Sequence, residues 1–396
     1  MPTNSMREIT VFTTCHPTDD VRVFEKVACS LADAGFNVGW VGPGWRNNAA
    51  NGEILPGIDH SLFPKSAGKL GRLFTFVRAY RAGLRRKNTG VYYCPEPDAA
   101  AAAFLLARRQ RIPVLLDLHE LYHGSAKSEW GRIVNNRLTS AVIQRGVRLV
   151  ASYSAAVMAV NESVLDAYTK MGRLGAVPAY VVRNLPPKWF AGAAATVERP
   201  AACFRVMHGK SERSRGTRIC LEAAAIAAQR IPNLSVVMFK SSERETMDDL
   251  LGACEVADPD GVLRRVVDLR DRISMREMPA TIAECDCGLI LYGRALGRLS
   301  LPNRLFEYMA AGIPVVAPTY SSEIVKVLTE VDCGLSVDAE DPLSVADALV
   351  QVASHRERAK RWGANGRSAF LERFSWESEF APVLRLVANW LRDPSK

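Results

Sequence analysis

The feature that most constrains this chain is a repeated alternation of short β-rich apolar runs with longer segments of helical pattern. The apolar runs are nearly continuous, which is typical of strands covered on both faces of a sheet. Repeated strand–helix–strand units with right-handed crossovers build a parallel sheet. In the first half, strands are expected at Ile9–Phe12, Asn37–Val41, Val91–Cys94, Val114–Leu118, Ala156–Val160 and Tyr180–Val182. The helices expected between them include Val21–Ala34, Lys69–Lys87, Pro97–Arg109 and Arg132–Leu149.

A segment rich in proline and alanine interrupts this pattern near the middle of the chain. It contains Pro186, Pro187 and Pro200 and has few large apolar side chains, so we interpret 186–202 as a linker with little to bury. The alternation then starts again. Strands of the second half are expected at Phe204–His208, Leu234–Phe239, Val262–Leu269, Asp286–Leu291, Ile313–Pro318 and Gly334–Val337.

The length of the chain requires more than one core. Domains usually contain about 100–200 residues, and this chain has 396. We therefore predict an α/β protein with two doubly wound parallel-sheet domains, 1–185 and 203–374, followed by a closing helical segment, 375–396. Two such domains bind ligands in the cleft that the carboxyl ends of their strands face.

Composition excludes several classes of protein. A hydrophobic content of 48%, with 27 glycines and 21 prolines, excludes a disordered or collagenous chain. No apolar run approaches the ~20 residues that span a bilayer. The N-terminus lacks the charged and then apolar layout of a secretory signal, so we expect a cytoplasmic protein. Nine cysteines, an odd number, are expected to be reduced thiols without a zinc site.

The basic excess lies entirely in the N-terminal half. The net charge is +9, and residues 1–190 carry 24 Lys and Arg against 14 Asp and Glu, which leaves 27 against 28 for 191–396. Eight of these cations and no acid lie in Lys65–Lys87. A crossover helix on its own sheet explains the apolar stripe of this segment but not its charge. The segment therefore predicts an anionic membrane surface at the inner leaflet as a partner.

Residues 300–316 form a loop, a helix and a strand with the most informative chemistry of the chain. The helix is expected to begin at Pro302 and to end at Gly312. A helix start has unpaired backbone N–H groups and a partial positive charge, so it can bind a phosphate. Glu307, one turn further on, could accept hydrogen bonds from paired sugar hydroxyls. On these residues alone, a plain helix cap with a surface glutamate is the stronger interpretation.

A cationic loop follows the first strand of the second half. Gly209 allows the backbone to approach a ligand closely, and Lys210 and Arg215 can neutralise a diphosphate. Gly216 opens the next helix. A solvated basic loop is the usual alternative, but pairing with the Glu307 helix favours a diphosphate site.

These two motifs resemble the donor site of retaining glycosyltransferases of family 4, which have two Rossmann-like domains in the GT-B arrangement. The resemblance assigns donor binding to the following residues: Gly209, Lys210, Arg215, Gly216, Leu301, Pro302, Asn303 and Glu307. Glu307 would bind the ribose hydroxyls. Leu299 stands where this family has a further glutamate, which leaves the donor sugar undefined. The resemblance also implies that 375–396 returns to the first domain.

The N-terminal motif and the end of one strand supply the acceptor side. Residues 15–26 resemble the His-x-x-x-Asp-x-Arg opening of related bacterial enzymes, which assigns acceptor binding to His16, Asp19 and Arg22. Asp19 or Asp20 is also a plausible helix cap. The Asp-Leu-His-Glu run that ends near residue 120 resembles a family motif as well. It assigns a catalytic role to His119 and acceptor binding to Glu120, with packing or capping as the alternative for His119.

The sequence thus predicts a retaining glycosyltransferase that needs neither a metal nor a cofactor. Its donor would be a UDP- or GDP-linked sugar, and its acceptor a lipid-linked sugar or a polysaccharide. Lys210, Arg215 and His119 would carry the catalysis. The alternatives are a nucleotide-sugar epimerase or hydrolase of the same fold and a catalytically silent binding module. We expect no nucleic-acid partner, because no nucleic-acid-binding motif accompanies the positive charge.

Overall fold

The computed structural model describes residues 7–18, 20–44, 58–64, 68–108, 110–119, 137–170, 177–197, 203–297 and 301–393. The chain divides into two compact units. The first comprises Met1–Asn184 and Glu379–Lys396, and the second comprises Leu185–Ser378. Among the described residues, every helix is too short or too polar to cross a membrane.

The first unit contains a parallel sheet with buried central strands. Its strands in the described part of the chain are β1 (Glu8–Phe12), β2 (Val38–Pro43), β3 (Ile58–Phe63), β4 (Thr89–Cys94), β5 (Val114–Leu118), β6 (Ala156–Ala159) and β7 (Ala179–Val181). They lie in the order β3-β2-β1-β4-β5-β6-β7. Every residue of β1, β4 and β5 is buried, as the continuous apolar runs predicted. The order reverses between β1 and β4, where sheets of this kind bind ligands.

Helices connect the strands of the first unit. They are α1 (Val21–Ala28, with wide π-type turns, continuing as Cys29–Asp33), α2 (Gly68–Gly83), α3 (Pro97–Ala107), α4 (Arg137–Tyr153) and α5 (Glu162–Lys170). Asp20 is the cap of α1, because its carboxylate accepts hydrogen bonds from the N–H groups of Arg22 and Val23. One of the two predicted caps is thereby identified.

Helix α2 exposes several of its large apolar side chains, although Phe76 packs against the core. Its buried positions carry small residues such as Thr75 and Ala79, and a Cβ at Gly83 would overlap core side chains. Leu73 and Phe74 are each 61% exposed. The interpretation of the apolar stripe as a packing surface was therefore wrong, because the small residues allow the closer approach to the core.

The second unit repeats the plan. Its strands in the described residues are β8 (Phe204–Lys210), β9 (Leu234–Phe239), β10 (Val267–Arg270), β11 (Cys287–Leu289), β12 (Val315–Pro318) and β13 (Gly334–Val337). They are parallel and lie in the order β10-β9-β8-β11-β12-β13, which reverses between β8 and β11. The helices are α6 (Lys188–Ala195), α7 (Thr217–Ala227), α8 (Met247–Cys254), α9 (Val262–Val266), α10 (Met278–Ala283), α11 (Arg294–Gly297), α12 (Asn303–Ala311), α13 (Ser322–Val331), α14 (Pro342–Ser354), α15 (Arg356–Arg373) and α16 (Trp376–Arg392).

Two stretches differ from the sequence prediction. The predicted linker contains α6, whose Phe190 side chain is fully buried in the core of the second unit. Ala191 and Ala194 are buried as well, so this stretch does have a surface to bury. The run predicted as a strand from Val262 begins instead with the short helix α9. Asp258 stabilises that helix, because its carboxylate accepts from the N–H groups of Leu263 and Arg264.

The last helix, α16, contributes to both units. Its first residue, Trp376, donates its N–H to the Pro186 carbonyl at 2.9 Å within the second unit. From Glu379 onward the chain belongs to the first unit, where this carboxylate accepts from the N–H and the guanidinium of Arg183.

All nine cysteines are free thiols, as their odd number predicted. Burial raises the pKa of Cys285 to about 12 and that of Cys287 well above its ordinary value. Thiols of this kind stay protonated and unreactive.

Candidate active site

Strand β8 ends in a turn that brings a glycine against an arginine. Gly209 has φ +87°, and a Cβ there would lie 2.5 Å from a nitrogen of the Arg304 guanidinium. Only glycine adopts this φ and leaves room for Arg304 without strain. Arg304 donates from Nη1 to the carbonyl oxygen of His208, and Lys210 follows at the end of the strand. The turn thus gathers two cations at the carboxyl end of β8.

A glutamate joins the two predicted diphosphate-binding cations. Lys210 Nζ pairs with Glu212 Oε1, and Arg215 Nε donates to Glu212 Oε2 at 2.8 Å. The hydrogen bonds from Lys210 and Arg215 hold the pKa of the Glu212 carboxyl below its usual range. We call Lys210 and Arg215 the cation pair. The structure therefore places both predicted cations around a single carboxylate.

Beneath this loop, a buried histidine is held in one tautomer. The Thr217 hydroxyl donates to the Glu212 carbonyl at 2.7 Å, so the His208 Nε2–H donates to Thr217 Oγ1 at 3.1 Å. His208 Nδ1 is then without a proton, and it is buried with no hydrogen-bond partner among the described residues. Burial, followed by the charges of Arg304 and Arg215, lowers the pKa of His208 to about 3. The imidazole therefore stays neutral at physiological pH.

Helix α12 has the predicted start and end. Pro302 precedes it in an extended conformation, and Gly312 ends it with φ +69°. Tyr308 is fully buried and donates from its hydroxyl to the carbonyls of Met207 and Leu289, which ties α12 to β8 and β11. The second half of the helix is thereby fixed against the sheet.

One cavity brings together three of the eight predicted donor residues. It has a volume of about 310 Å³ and is lined by Met207, Gly209, Lys210, Phe239, Arg272, Ile273, Met278, Ile282, Arg304, Glu307 and Tyr308. Gly209, Lys210 and Glu307 thus meet in one place, and Arg215 joins them through Glu212. The other five predicted donor residues do not line this cavity; they are Arg215, Gly216, Leu301, Pro302 and Asn303.

The cavity also contains two cations that sequence reasoning missed. Arg304 follows directly after Asn303, so its position in the first turn of α12 was a signal that could have identified it. Arg272 lies just after β10, at the carboxyl edge of the sheet, and nothing in the local sequence distinguishes it from the other arginines nearby.

In the first unit, a buried carboxylate joins the ends of β4 and β5 to the first turn of α1. Asp117 accepts from Arg22 Nε and Nη2, each at 3.1 Å, from the Tyr93 hydroxyl at 2.6 Å, and pairs with His119 Nε2 at 2.9 Å. Burial opposes its charge, but Arg22 and then His119 hold the pKa of Asp117 well below its usual range. Arg22 is thus paired with a carboxylate inside the protein, and its contact with an acceptor stays a prediction.

The predicted histidines His16 and His119 lie together, with ring centroids 5.2 Å apart. His16 Nδ1 bonds to Asp20 at 2.8 Å, and its Nε2 is 3.7 Å from Glu96 Oε2. Burial disfavours the imidazolium, but the hydrogen bond to Asp20 and the charge of Glu96 raise the pKa of His16. In the described residues, Cys15, His16 and Glu96 have ligand atoms within 4.8 Å of one another, close enough to hold a cation.

Three positions named by the sequence analysis lie outside the described residues. They are Asp19, Glu120 and Leu299. The described acceptor-side residues are therefore His16, Arg22 and His119, and the carboxylates around them are Asp20, Glu96 and Asp117.

Two family models match separate parts of the chain. The model for Glycosyltransferase Family 4 matches residues 21–184, and a model described as Glycosyl transferase-like matches residues 242–385. The chain is a family 4-like glycosyltransferase. The matched stretches of this glycosyltransferase contain His119 and Glu307. A comparison with curated protein sequences finds no match.

Solved structures with the same fold resemble this glycosyltransferase at low sequence identity. Sucrose-phosphate synthase from Thermosynechococcus elongatus is 17% identical with a TM-score of 0.68, over 98% of this chain and 99% of that one. Anabaena HepE, solved with UDP, is 14% identical with a TM-score of 0.65, over 97% and 100%. α,α-Trehalose 6-phosphate synthase from Burkholderia multivorans is 14% identical with a TM-score of 0.61, over 98% and 98%. The predicted fold class, two Rossmann-like α/β domains of GT-B type, is confirmed.

Proposed function

We propose that this glycosyltransferase moves a sugar from a nucleotide diphosphate-sugar to a lipid-linked sugar or polysaccharide, with retention of anomeric configuration. The observation that carries the proposal is the cavity of the second unit, where Gly209, Lys210 and Glu307 meet. Cations and a close backbone approach suit the diphosphate, and Glu307 suits the ribose hydroxyls.

The other side of the same cavity suits the base of the donor. It is apolar, with Phe239, Ile273, Met278 and Ile282 among its lining residues. Sites for small ligands combine such surfaces with a few polar groups that fix orientation. A UDP- or GDP-linked donor meets this pattern, and HepE has been solved with both UDP and UDP-glucose.

The chemistry of this proposal needs no protein nucleophile. The bond between the anomeric carbon and the diphosphate oxygen breaks, and the cation pair and the start of α12 stabilise the charge that grows on the diphosphate. The acceptor hydroxyl attacks from the face that the diphosphate leaves, and its proton passes to a diphosphate oxygen. Because side chains supply the positive charge, we expect full activity in EDTA. Loss of activity in EDTA would contradict this part of the proposal.

The acceptor belongs to the first unit in this proposal. His16 and His119 present partly exposed imidazoles, at 22% and 16% of the side chain. Imidazoles can donate to or accept from sugar hydroxyls. Asp20 and Asp117 orient the two rings through the hydrogen bonds described above.

The surface of the first unit supports a lipid-linked acceptor at the inner face of the plasma membrane. Helix α2 exposes Leu73, Phe74 and Val77 beside the exposed Arg78 and Arg81. Exposed apolar residues between cations are typical of a helix that lies in a membrane interface. Each Lys or Arg near an anionic surface contributes about 1 kcal/mol.

A pair of loop variants tests the donor assignment. We expect Lys210→Ala to lower kcat/KM for a UDP- or GDP-sugar by about 10²-fold or more, because it removes a group that stabilises the departing diphosphate. Arg213→Ala is the matched control, since Arg213 lies in the same loop, is 59% exposed and pairs with Glu255 at 3.6 Å. Equal activity of the two variants would reject the assignment.

A reaction without acceptor separates transfer from the alternative activities. A transferase consumes the donor quickly only when an acceptor is present, whereas an epimerase or hydrolase needs no second sugar. We therefore expect the sugar nucleotide to persist in the absence of acceptor. Rapid conversion under that condition would favour the alternatives.

Vesicle sedimentation tests the membrane surface. We expect the wild-type protein to sediment with vesicles that contain anionic lipid, and Phe74→Glu to weaken that binding. Leu343→Glu is the matched control, because Leu343 is similarly exposed, at 54%, but belongs to the second unit. The same loss in both variants, or no preference for anionic vesicles, would contradict the proposal that α2 binds an anionic membrane.

A further inference from the structure

The carboxylate of Glu212 contacts both of the cations that are proposed to bind the diphosphate. Its two oxygens contact the two members of the cation pair, Oε1 with Lys210 and Oε2 with Arg215 at 2.8 Å. A carboxylate and a phosphate both present anionic oxygens to the same N–H donors. The positive charge that the donor requires is therefore already paired with an acid of the protein.

The side chain of Glu212 can rotate away from the cation pair while hydrogen bonds hold its backbone in place. The Glu212 carbonyl accepts from the Thr217 hydroxyl at 2.7 Å and from the Arg215 N–H at 2.9 Å, which fixes the loop. The side chain itself is 30% exposed, and the side chains of Lys210 and Arg215 are each 35% exposed. Ion pairs with this exposure are weak, so rotation of one side chain breaks them at little cost.

We propose that Glu212 occupies the diphosphate position in the ligand-free enzyme and is displaced by the diphosphate of the donor. This inference rests on the proposed function. Glu212 keeps the cation pair gathered at one point and neutralises part of its charge. A ligand must therefore carry more negative charge than a carboxylate in order to displace Glu212 and bind both cations. The residue thus favours diphosphate donors over weakly charged ligands.

Calorimetric titration of UDP and GDP into Glu212→Gln tests this inference. Glutamine removes the competing charge and keeps the shape, so we expect the better-binding diphosphate to bind about three- to tenfold more tightly. The corresponding nucleoside, which has no phosphate, should bind equally to both proteins. Glu212→Asp, whose shorter side chain cannot span both cations, should give an intermediate gain.

The matched control is Glu222→Gln, because Glu222 also pairs with an arginine of the second unit, Arg218 at 2.9 Å, but not with the cation pair. It should leave both affinities unchanged. Unchanged or weaker diphosphate binding by Glu212→Gln would overturn the inference, since Glu212 would then position the cations for the ligand. Lys210→Ala separates this failure from a failure of the proposed function. If that variant binds UDP and GDP as the wild type does, the diphosphate site itself is wrong.

Discussion

The two units share a parallel sheet and place polar groups at the same point of it, yet they arrange charge in opposite ways. At the reversal of the first sheet, buried carboxylates such as Asp117 and Glu96 surround histidines. At the reversal of the second sheet, Lys210 and Arg304 line a cavity beside a glycine turn. A scaffold of one type can therefore present hydrogen-bonding groups for neutral hydroxyls in one unit and cations for a diphosphate in the other.

The ion pairs of the two units also differ in how much the fold depends on them for stability. The pair between Arg22 and Asp117 is almost fully buried, with side chains 8% and 0% exposed. The pair between Lys210 and Glu212 is about one-third exposed. Loss of one partner from a buried pair leaves an isolated charge without water, whereas an exposed partner becomes hydrated. The first site is thus part of the fold, and the second can rearrange around a ligand.

The largest effect is expected for Asp117→Asn. The variant removes the charge that pairs with the buried Arg22 and weakens the hydrogen bonds from Tyr93 and His119. We expect a loss of about 3–5 kcal/mol in the free energy of unfolding, measured by urea denaturation. Glu212→Gln should change that free energy by less than about 1 kcal/mol. Similar losses in the two variants would contradict the conclusion that only the ion pair of the first unit contributes strongly to stability.

A smaller effect is expected for Gly209→Ala. Alanine strains a backbone at φ +87°, and its Cβ would displace Arg304 from the cavity. We expect a loss of about 1–3 kcal/mol in stability together with weaker binding of nucleoside diphosphates. Gly192→Ala in α6 is the control, because a Cβ there meets nothing within 4 Å. That variant should be stabilised by about 0.5–1 kcal/mol. Gly209→Ala with wild-type stability and affinity would contradict the close approach of Arg304.

The difference between local and distant contacts explains what the sequence could predict. Strands such as β1 and β5 are buried on both faces, so their apolar runs can be recognised in the local sequence without knowledge of what packs on them. The edge strand β3 escaped prediction because it is polar and only partly buried. Helix α6 escaped because alanine and glycine resemble a linker until the core they pack against is known.

The same distinction holds for the candidate site. Lys210 and Glu307 could be predicted because each stands in a local motif at a strand end or a helix start. The Asp117 cluster could not, since Arg22 is 95 residues away and Tyr93 is 24 residues away along the chain. Nothing near Arg22 indicates that its guanidinium is paired inside the protein. The buried face of α2 could not be predicted for a similar reason. That face packs through small residues and leaves Leu73 and Phe74 exposed.

A third prediction concerns the hydrogen bonds below the cationic loop. Thr217→Val removes the hydroxyl that joins the Glu212 carbonyl to His208 and leaves a buried N–H without an acceptor. We expect a loss of about 1–3 kcal/mol in stability, measured by urea denaturation. Thr217→Ser retains the hydroxyl and should recover most of that loss. Equal stability of the valine and serine variants would show that the hydroxyl does not hold His208.

The last prediction distinguishes the histidines of the two units by their titration. NMR should show the pKa of His16 above 6.5 and that of His208 at about 3. Because the folded-state pKa of His16 is raised, its contribution to stability is complete below pH 6.5 and is lost as pH rises through the folded value. For His208 the sign is opposite. Its unfolded form binds the proton more readily, so stability is lost as pH falls from 6.5 towards 3.

Asp20→Asn provides the control, because it removes the charge that holds His16 Nδ1 and should lower the pKa of His16 without moving that of His208. The signals can be assigned from His16→Gln and His208→Gln, since the chain has only six histidines. A His16 pKa that stays the same in Asp20→Asn would mean that Glu96 and Asp117 hold the imidazolium without Asp20. The orientation of the ring towards an acceptor hydroxyl would then depend on the segment between β4 and α3 instead of the cap of α1.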